Sequence, residues 1–404
     1  MLRFLTAGES HGPRLTAIVE GLPAGLAVDV EGINRDLARR QTGYGRGERM
    51  EIEQDRVEIL GGVMAGRTTG APVALSIENR DWVHWRDRWA AGDLPRMSVP
   101  RPGHADYAGM VKYGLDDARP VAERASARET AARVAVGALA KQLLAVFNVA
   151  VGSIVTEIGG VVATVPDLPP EALWALAEAS DVRCPDEQTA GRMRAAIDEA
   201  REAGDSLGGV FVVTATGVPV GLGSHVHWDR RLDARLAAAV MSIPAVKGVE
   251  IGPAFENARR RGTQVQDEFE FLISHFSFLT PARSTNRAGG IEGGISNGQP
   301  IVVRAAMKPI PTVLAPLRSV DLATGEEASA RYERADVCAV PAAAVVGEAM
   351  VAWVLAEAVE EKYGGDSLGG LEGKEGKEGR EGREGGEGGE GGEGREESRG
   401  RGDG

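Results

Sequence analysis

The feature that most limits how this chain can fold is that it repeats itself once, at long range. Gly21-Leu22-Pro23-Ala24-Gly25-Leu26 resembles Gly217-Val218-Pro219-Val220-Gly221-Leu222. Each motif follows an apolar, strand-like run (15–19 and 210–213) and precedes an amphipathic helical pattern (33–40 and 231–241). A second pair follows in the same order. Gly61-Gly62-Val63 leads to Gly70-Ala71-Pro72-Val73, and Gly289-Gly290-Ile291 leads to Gly298-Gln299-Pro300-Ile301, so that Gly66 aligns with Gly294 and Thr68 with Ser296. Strand-like runs come next, 73–77 and 301–307. A third pair, Glu123-Arg124-Ala125-Ser126 and Glu333-Arg334-Ala335-Asp336, precedes two alanine-rich helical patterns, 127–147 and 340–360. One such match would be chance. Three in order imply two structurally related halves, about residues 1–150 and 205–363, with 166–204 inserted between them as a helical region. Strand, helix and strand spacing within each half predicts an α+β fold.

The repeat stops before the end of the chain. Residues 364–404 carry 18 of the 55 glycines and only two apolar side chains, Leu368 and Leu371, so they are expected to be a disordered Gly/Glu-rich tail. The tail supplies −5 of the net charge of −13, which leaves −8 on residues 1–363. An acidic body argues against a nucleic-acid partner, and 5 % aromatics argues against a reader of single-stranded RNA. Only Cys184 and Cys338 occur, far apart, which excludes a disulfide scaffold and a Cys-rich zinc site. The N-terminus turns polar by Glu9 and is no signal peptide, and the best apolar run is interrupted by Lys141 and Gln142. A soluble, cytoplasmic protein without a membrane partner is expected.

Several clusters could carry chemistry. Gly8-Glu9-Ser10-His11-Gly12 sets a histidine between glycines just after an apolar strand, where the backbone can pass close to a ligand. Arg39, Arg40, Arg46 and Arg49 fall within eleven residues around Gly43-Tyr44-Gly45-Arg46-Gly47. Guanidinium forks suit phosphate and carboxylate oxygens, although a solvated basic helix end has the same pattern. Arg101-Pro102-Gly103-His104-Ala105-Asp106 is a turn that sets an imidazole beside an arginine. A group that titrates near neutrality suits proton donation to a departing phosphate; a capped turn is the plainer reading. Lys308-Pro309-Ile310-Pro311-Thr312 closes a strand as either an anion holder or an edge turn. In a strand His225 and His227 would share a face, but no third ligand sits at a usual spacing, so no metal is expected. His84, beside Trp82 and Trp85, and His275, beside Phe276, read as packing against aromatics. No Walker motif, nucleophile elbow or zincin helix is present.

Taken in series, Gly8–Gly12, Arg39–Met50, Arg101–Asp106, Arg124–Arg133, Asp205–Gly209, Met241–Gly252, Asn286–Gly298, Lys308–Thr312 and Arg334–Cys338 resemble the chorismate synthase family, and the likeness covers residues 1–363. The resemblance implies a single catalytic domain of the family's type, a β-α-β sandwich with internal pseudo-two-fold duplication, assembled as a homotetramer. It implies a lyase of aromatic amino acid biosynthesis, which eliminates phosphate from 5-enolpyruvylshikimate 3-phosphate in a 1,4-anti sense to give chorismate. The reaction needs reduced FMN but has no net redox change.

The resemblance also implies roles. His104 protonates the leaving phosphate, His11 protonates the reduced flavin or stabilises its charge near N1, and Asp336 relays a proton from flavin N5. Arg49, Arg101 and Arg334 face the substrate. Arg40 and Arg46 match positions that hold a nicotinamide phosphate in some members. FMN contacts carry over to Arg124, Ala125 and Ser126, to Pro244 and Ala245, to Gly293, to Lys308, Pro309, Ile310, Pro311 and Thr312, and to Arg334. Ala125 departs from a frequent serine, which leaves only backbone contact there. No extra domain for flavin reduction is visible, so an external flavin reductant is expected.

Overall fold

The computed structural model describes residues 1–47, 49–270, 282–315 and 317–368. His275 and residues 369–404 of the expected tail lie outside the described residues. Two antiparallel sheets carry the fold. Across the first, the strands run in the order Arg3–Ala7, Arg14–Glu20, Val73–Glu78, Val57–Gly61. Across the second, the order is Val161–Val162, Ala150–Ile158, Gly209–Thr216, Ile301–Met307, Val246–Ile251. Alternation fixes their faces: Leu15, Ala17 and Val19 point inward from one strand, and Phe211, Val213 and Ala215 from another.

The repeated motifs do the same structural work in both places. Thr68 Oγ1 donates to Pro23 O (2.5 Å) and accepts from Leu26 N (3.0 Å). Ser296 Oγ donates to Pro219 O (2.6 Å) and accepts from Leu222 N (2.8 Å). The glycines are required where two chain segments touch. Gly62 has φ +83°, and a Cβ there would lie 2.4 Å from Pro72 O; Gly290 has φ +81°, and a Cβ would lie 2.6 Å from Pro300 O. The equivalence of Thr68 and Ser296 in the sequence is thus matched bond for bond.

Two helices fill the space beside the sheets. Thr130–Ala145 packs on strands Arg14–Glu20 and Val73–Glu78, Val340–Tyr363 packs on Ala150–Ile158 and Gly209–Thr216, and the two helices pack on each other. Their contact is close because Gly137 has no side chain: a Cβ there would lie 2.3 Å from that of Ala349. The predicted helix 127–147 is shorter than expected, because Ala127–Glu129 is a 3-10 turn started by Ser126, whose Oγ accepts from Arg128 N (3.3 Å).

The helix Val340–Tyr363 is, among the described residues, the one helix long and apolar enough to cross a membrane, a span that the sequence reading did not single out. It is instead a core helix, buried nearly all round. Glu348 sits at its middle, wholly buried, and accepts from Arg39 Nη1 and Nη2 (2.8 Å each), Lys141 Nζ (2.7 Å) and Ser153 Oγ (2.6 Å). Burial opposes ionisation, but the Lys141 and Arg39 charges overcome it and hold this carboxyl well below the usual range.

The inserted region forms helices Pro170–Glu178 and Glu187–Glu202. Trp174 of the first sits directly over Gly152 of the second sheet. Past Tyr363 the chain continues along the first motif: Ala24 N donates to Asp366 O and Leu368 N to Ala24 O, both at 2.9 Å.

Candidate active site

The arginine-rich segment begins at the end of helix Val30–Gln41, where two adjacent arginines part company. Arg39 turns to Glu348, Asp36 and Glu178 and takes no part in the cavity. Arg40, one residue on, is 4 % exposed and lines it. Its Nε donates to Thr130 Oγ1 (2.9 Å) and its Nη2 to Ala127 O (2.9 Å), while Nη1 has no hydrogen-bond partner. Burial pushes the Arg40 guanidinium down to about 10, against the pull of Asp55, so it remains a cation at neutral pH.

The following glycine loop is gripped from behind. Tyr44 OH donates to Asp198 (2.8 Å) in the inserted region, and Val337 N donates to Gly45 O (2.8 Å). This hold sets Arg46 against Asp336: Arg46 Nη1 donates to Oδ2 (2.6 Å) and Gly47 N to Oδ1 (2.7 Å). Arg49 Nη1 donates to Ser10 Oγ (2.7 Å), which also receives Ser126 Oγ (3.0 Å). Burial, with the Arg128 charge, pushes the Arg49 guanidinium down.

Each candidate histidine has a buried carboxylate at Nδ1. His11 Nδ1 lies 2.9 Å from Glu123 Oε1, and Glu123 also accepts from the His11 backbone N (2.8 Å). The His11 ring packs against Trp85, tilted by 37° with centroids 4.3 Å apart, and its Nε2 is 4.0 Å from Asp81 Oδ2. Burial, the largest influence, would raise the Glu123 carboxyl, but the hydrogen bonds and charge of His11, with the charge of Arg119, together lower it. His104 Nδ1 lies 2.6 Å from Asp106 Oδ1. Arg334 reaches across from the second half to Asp81 Oδ2 at 3.5 Å.

Arg40, Arg46, Arg49, His11, Glu123, His104 and Arg334 line one cavity of about 580 Å³. It brings together His11, His104 and Asp336; Arg40, Arg46, Arg49, Arg101 and Arg334; and Ala125, Ser126, Pro244, Ala245, Lys308, Ile310, Pro311 and Thr312. Arg124, Gly293 and Pro309 do not line it. Arg124 turns to Thr6, donating to its Oγ1 at 2.7 Å, and Gly293 lies in the hairpin Ile291–Ser296. The duplicated Ser126 and Asp336 stand on the same cavity. The lining also includes the apolar residues Ile243, Met307, Ala342 and Ala343. Lys308 Nζ donates to Gly103 O (2.8 Å), which ties the Lys308–Thr312 segment to the His104 turn.

Several site residues escaped the sequence. Glu123, Asp81, Trp85 and Arg119 carry no motif of their own, and Glu123 meets His11 across 112 positions of chain. Glu123 does belong to the third repeated pair, which was the one signal available. His84 is exposed, and the imidazole that Trp85 packs against is His11, so the pairing expected for His84 is corrected. His227 is exposed and pairs with Asp229 at 2.7 Å.

The family model for chorismate synthase matches residues 2–359. The chorismate synthase of Desulforudis audaxviator is 59% identical over 373 residues, which cover 91% of this chain and 95% of that protein. That of Geobacter sulfurreducens is 58% identical over 377 residues, covering 91% and 96%. A crystal structure of chorismate synthase superposes with a TM-score of 0.75 at 45% identity, over 93% of this chain and 97% of the other. With a match along nearly its whole length, this chain belongs to the chorismate synthase family.

Proposed function

We propose that this chain eliminates phosphate from 5-enolpyruvylshikimate 3-phosphate to give chorismate, using reduced FMN, in the cavity described above. One observation carries the reading: six arginines and two histidines, contributed by both halves of the chain, converge on a single space. The substrate has a phosphate and two carboxylates, and such a polyanion needs several fixed cations in one place. The residues also fit a flavin. Arg46 Nε and Arg49 Nε are buried without hydrogen-bond partners, and the apolar lining residues Ile243, Met307, Ala342 and Ala343 suit an aromatic ring.

Arg49, Arg101 and Arg334 hold the phosphate and carboxylates, and Ser10 orients Arg49 through its 2.7 Å bond. His104 donates the Nε2 proton to the bridging oxygen as the C3–O bond to phosphate breaks. Reduced FMN, when bound, supplies electron density to that breaking bond and the base that accepts the C6 hydrogen, with no net oxidation. Asp336 receives a proton at a carboxylate oxygen and passes it on, held in place by Arg46 and Gly47 N. His11, fixed by Glu123 and Trp85, stabilises negative charge on the flavin. Ser126, Ala125, Pro244, Ala245 and the Lys308–Thr312 segment exclude water around the cofactor.

The same reading takes the architecture as a β-α-β sandwich duplicated about a pseudo-two-fold axis. Its supports are the matched strand orders and the identical Thr68 and Ser296 bonds. It takes the protein as cytoplasmic, tetrameric and dependent on an external flavin reductant. The cross-strand partners Leu5 and Ile18, exposed at 74% and 40% on the first sheet, favour assembly. The test of the site is His104→Ala, assayed for turnover and for the substrate-induced change in the bound flavin spectrum. Turnover falls about 100-fold or more with the spectral change kept; unimpaired turnover refutes the role of His104.

A further inference from the structure

We infer that Asp106 is a positioning residue that joins the proton donor and the phosphate clamp into one rigid unit, a role that rests on the assignments of His104 and Arg101 made above. Asp106 opens the helix Asp106–Tyr113 and is wholly buried. Its carboxylate collects four hydrogen bonds. Oδ2 accepts from the Arg101 backbone N (3.0 Å) and from Arg101 Nε (2.8 Å). Oδ1 accepts from Arg101 Nη2 (2.9 Å) and from His104 Nδ1 (2.6 Å).

Arg101 Nη2 and His104 Nδ1 also lie 3.1 Å from each other. A guanidinium can only donate, so Nδ1 could bond to it only by accepting. The shorter distance to a carboxylate decides the matter: the Nδ1 proton points at Oδ1, and the two donors meet side by side on one oxygen. Nε2 is then the ring nitrogen left to serve the cavity. The carboxylate stays ionised, since the bonds from His104 and Arg101 outweigh its burial and hold it far below the usual range.

The spacing makes this possible. Pro102-Gly103, with Gly103 at φ +76°, folds positions 101, 104 and 106 around one carboxylate. The forked contact fixes the plane of the Arg101 guanidinium, and the fourth bond fixes the tilt of the imidazole. A shift of either group therefore disturbs the other. An asparagine at 106 cannot replace this, because its amide NH2 must face one of the two pairs of donors.

The experiment is a mutant cycle on the full-length protein with reduced FMN. Asp106→Asn is expected to lower kcat about 100-fold and also to raise KM, because it acts through both His104 and Arg101. In a His104→Ala background the same change lowers kcat no further but still raises KM. A purely structural role lowers kcat by the same factor in both backgrounds, and that result overturns the inference. Should Asp106→Asn not fold, the charge-balanced pair Arg101→Met with Asp106→Asn replaces it. Its kcat falls below that of Arg101→Met alone; equal values overturn the inference. A His104→Ala enzyme with full kcat sinks the reading of the site itself. A loss in His104→Ala with none in Asp106→Asn sinks only the role of Asp106.

Discussion

Replacing Glu348 with glutamine tests whether the helix Val340–Tyr363 is the ionic centre of the fold. The carboxylate is wholly buried and meets Arg39, Lys141 and Arg183. Removing one partner of a buried ion pair costs about 3–5 kcal/mol. Here each cation keeps a second carboxylate: Arg39 and Lys141 keep Asp36 at 2.8 and 2.9 Å, and Arg183 keeps Glu178 at 2.7 Å. Glutamine also keeps the acceptor for Ser153. The loss therefore falls at the low end, about 3 kcal/mol. Urea unfolding at neutral pH, followed by circular dichroism, reads it directly.

The pH dependence supplies a second reading. The folded pKa of Glu348 is depressed, so its stabilisation is complete above the unfolded value of about 4.3. It is lost as pH falls from there toward the folded value. The gap between wild type and Glu348→Gln should therefore be full at neutral pH and narrow as the pH drops below about 4.3. A loss under about 1 kcal/mol at neutral pH, the scale of an exposed pair, refutes the reasoning.

Three further outcomes are expected. Thr68→Val and Ser296→Ala each remove a buried hydroxyl that both donates and accepts, so each costs about 1–3 kcal/mol in denaturant unfolding; a large difference between them speaks against equivalent halves. Gly47→Ala puts a Cβ 2.8 Å from Ala335 O, which pushes the Asp336 loop away. Its turnover falls while its unfolding midpoint changes little. Truncation after Leu368 leaves turnover and melting unchanged, whereas truncation after Tyr363 lowers the melting temperature by removing the bonds to Ala24.

How much was legible in the sequence depended on whether the constraint was local. The motif turns were readable because Gly62 and Gly290 occupy positions that a side chain cannot. The His104 turn was readable because three interacting residues lie within six positions. The charge pattern alone did not tell Arg39 from Arg40, because the partner of Arg39 is 309 residues away; only the family resemblance singled out Arg40. The carboxylate behind His11 and the ring beneath it were hidden for the same reason. Periodicity identified the long helices but not the 3-10 turn Ala127–Glu129, where a serine side chain competes for the backbone.

The most direct measurement is anaerobic turnover of 5-enolpyruvylshikimate 3-phosphate with chemically reduced FMN and the purified protein. Chorismate and phosphate should appear in equal amounts while the flavin ends as reduced as it began. Absence of chorismate under these conditions, or flavin oxidised in proportion to product, contradicts the assignment of this cavity.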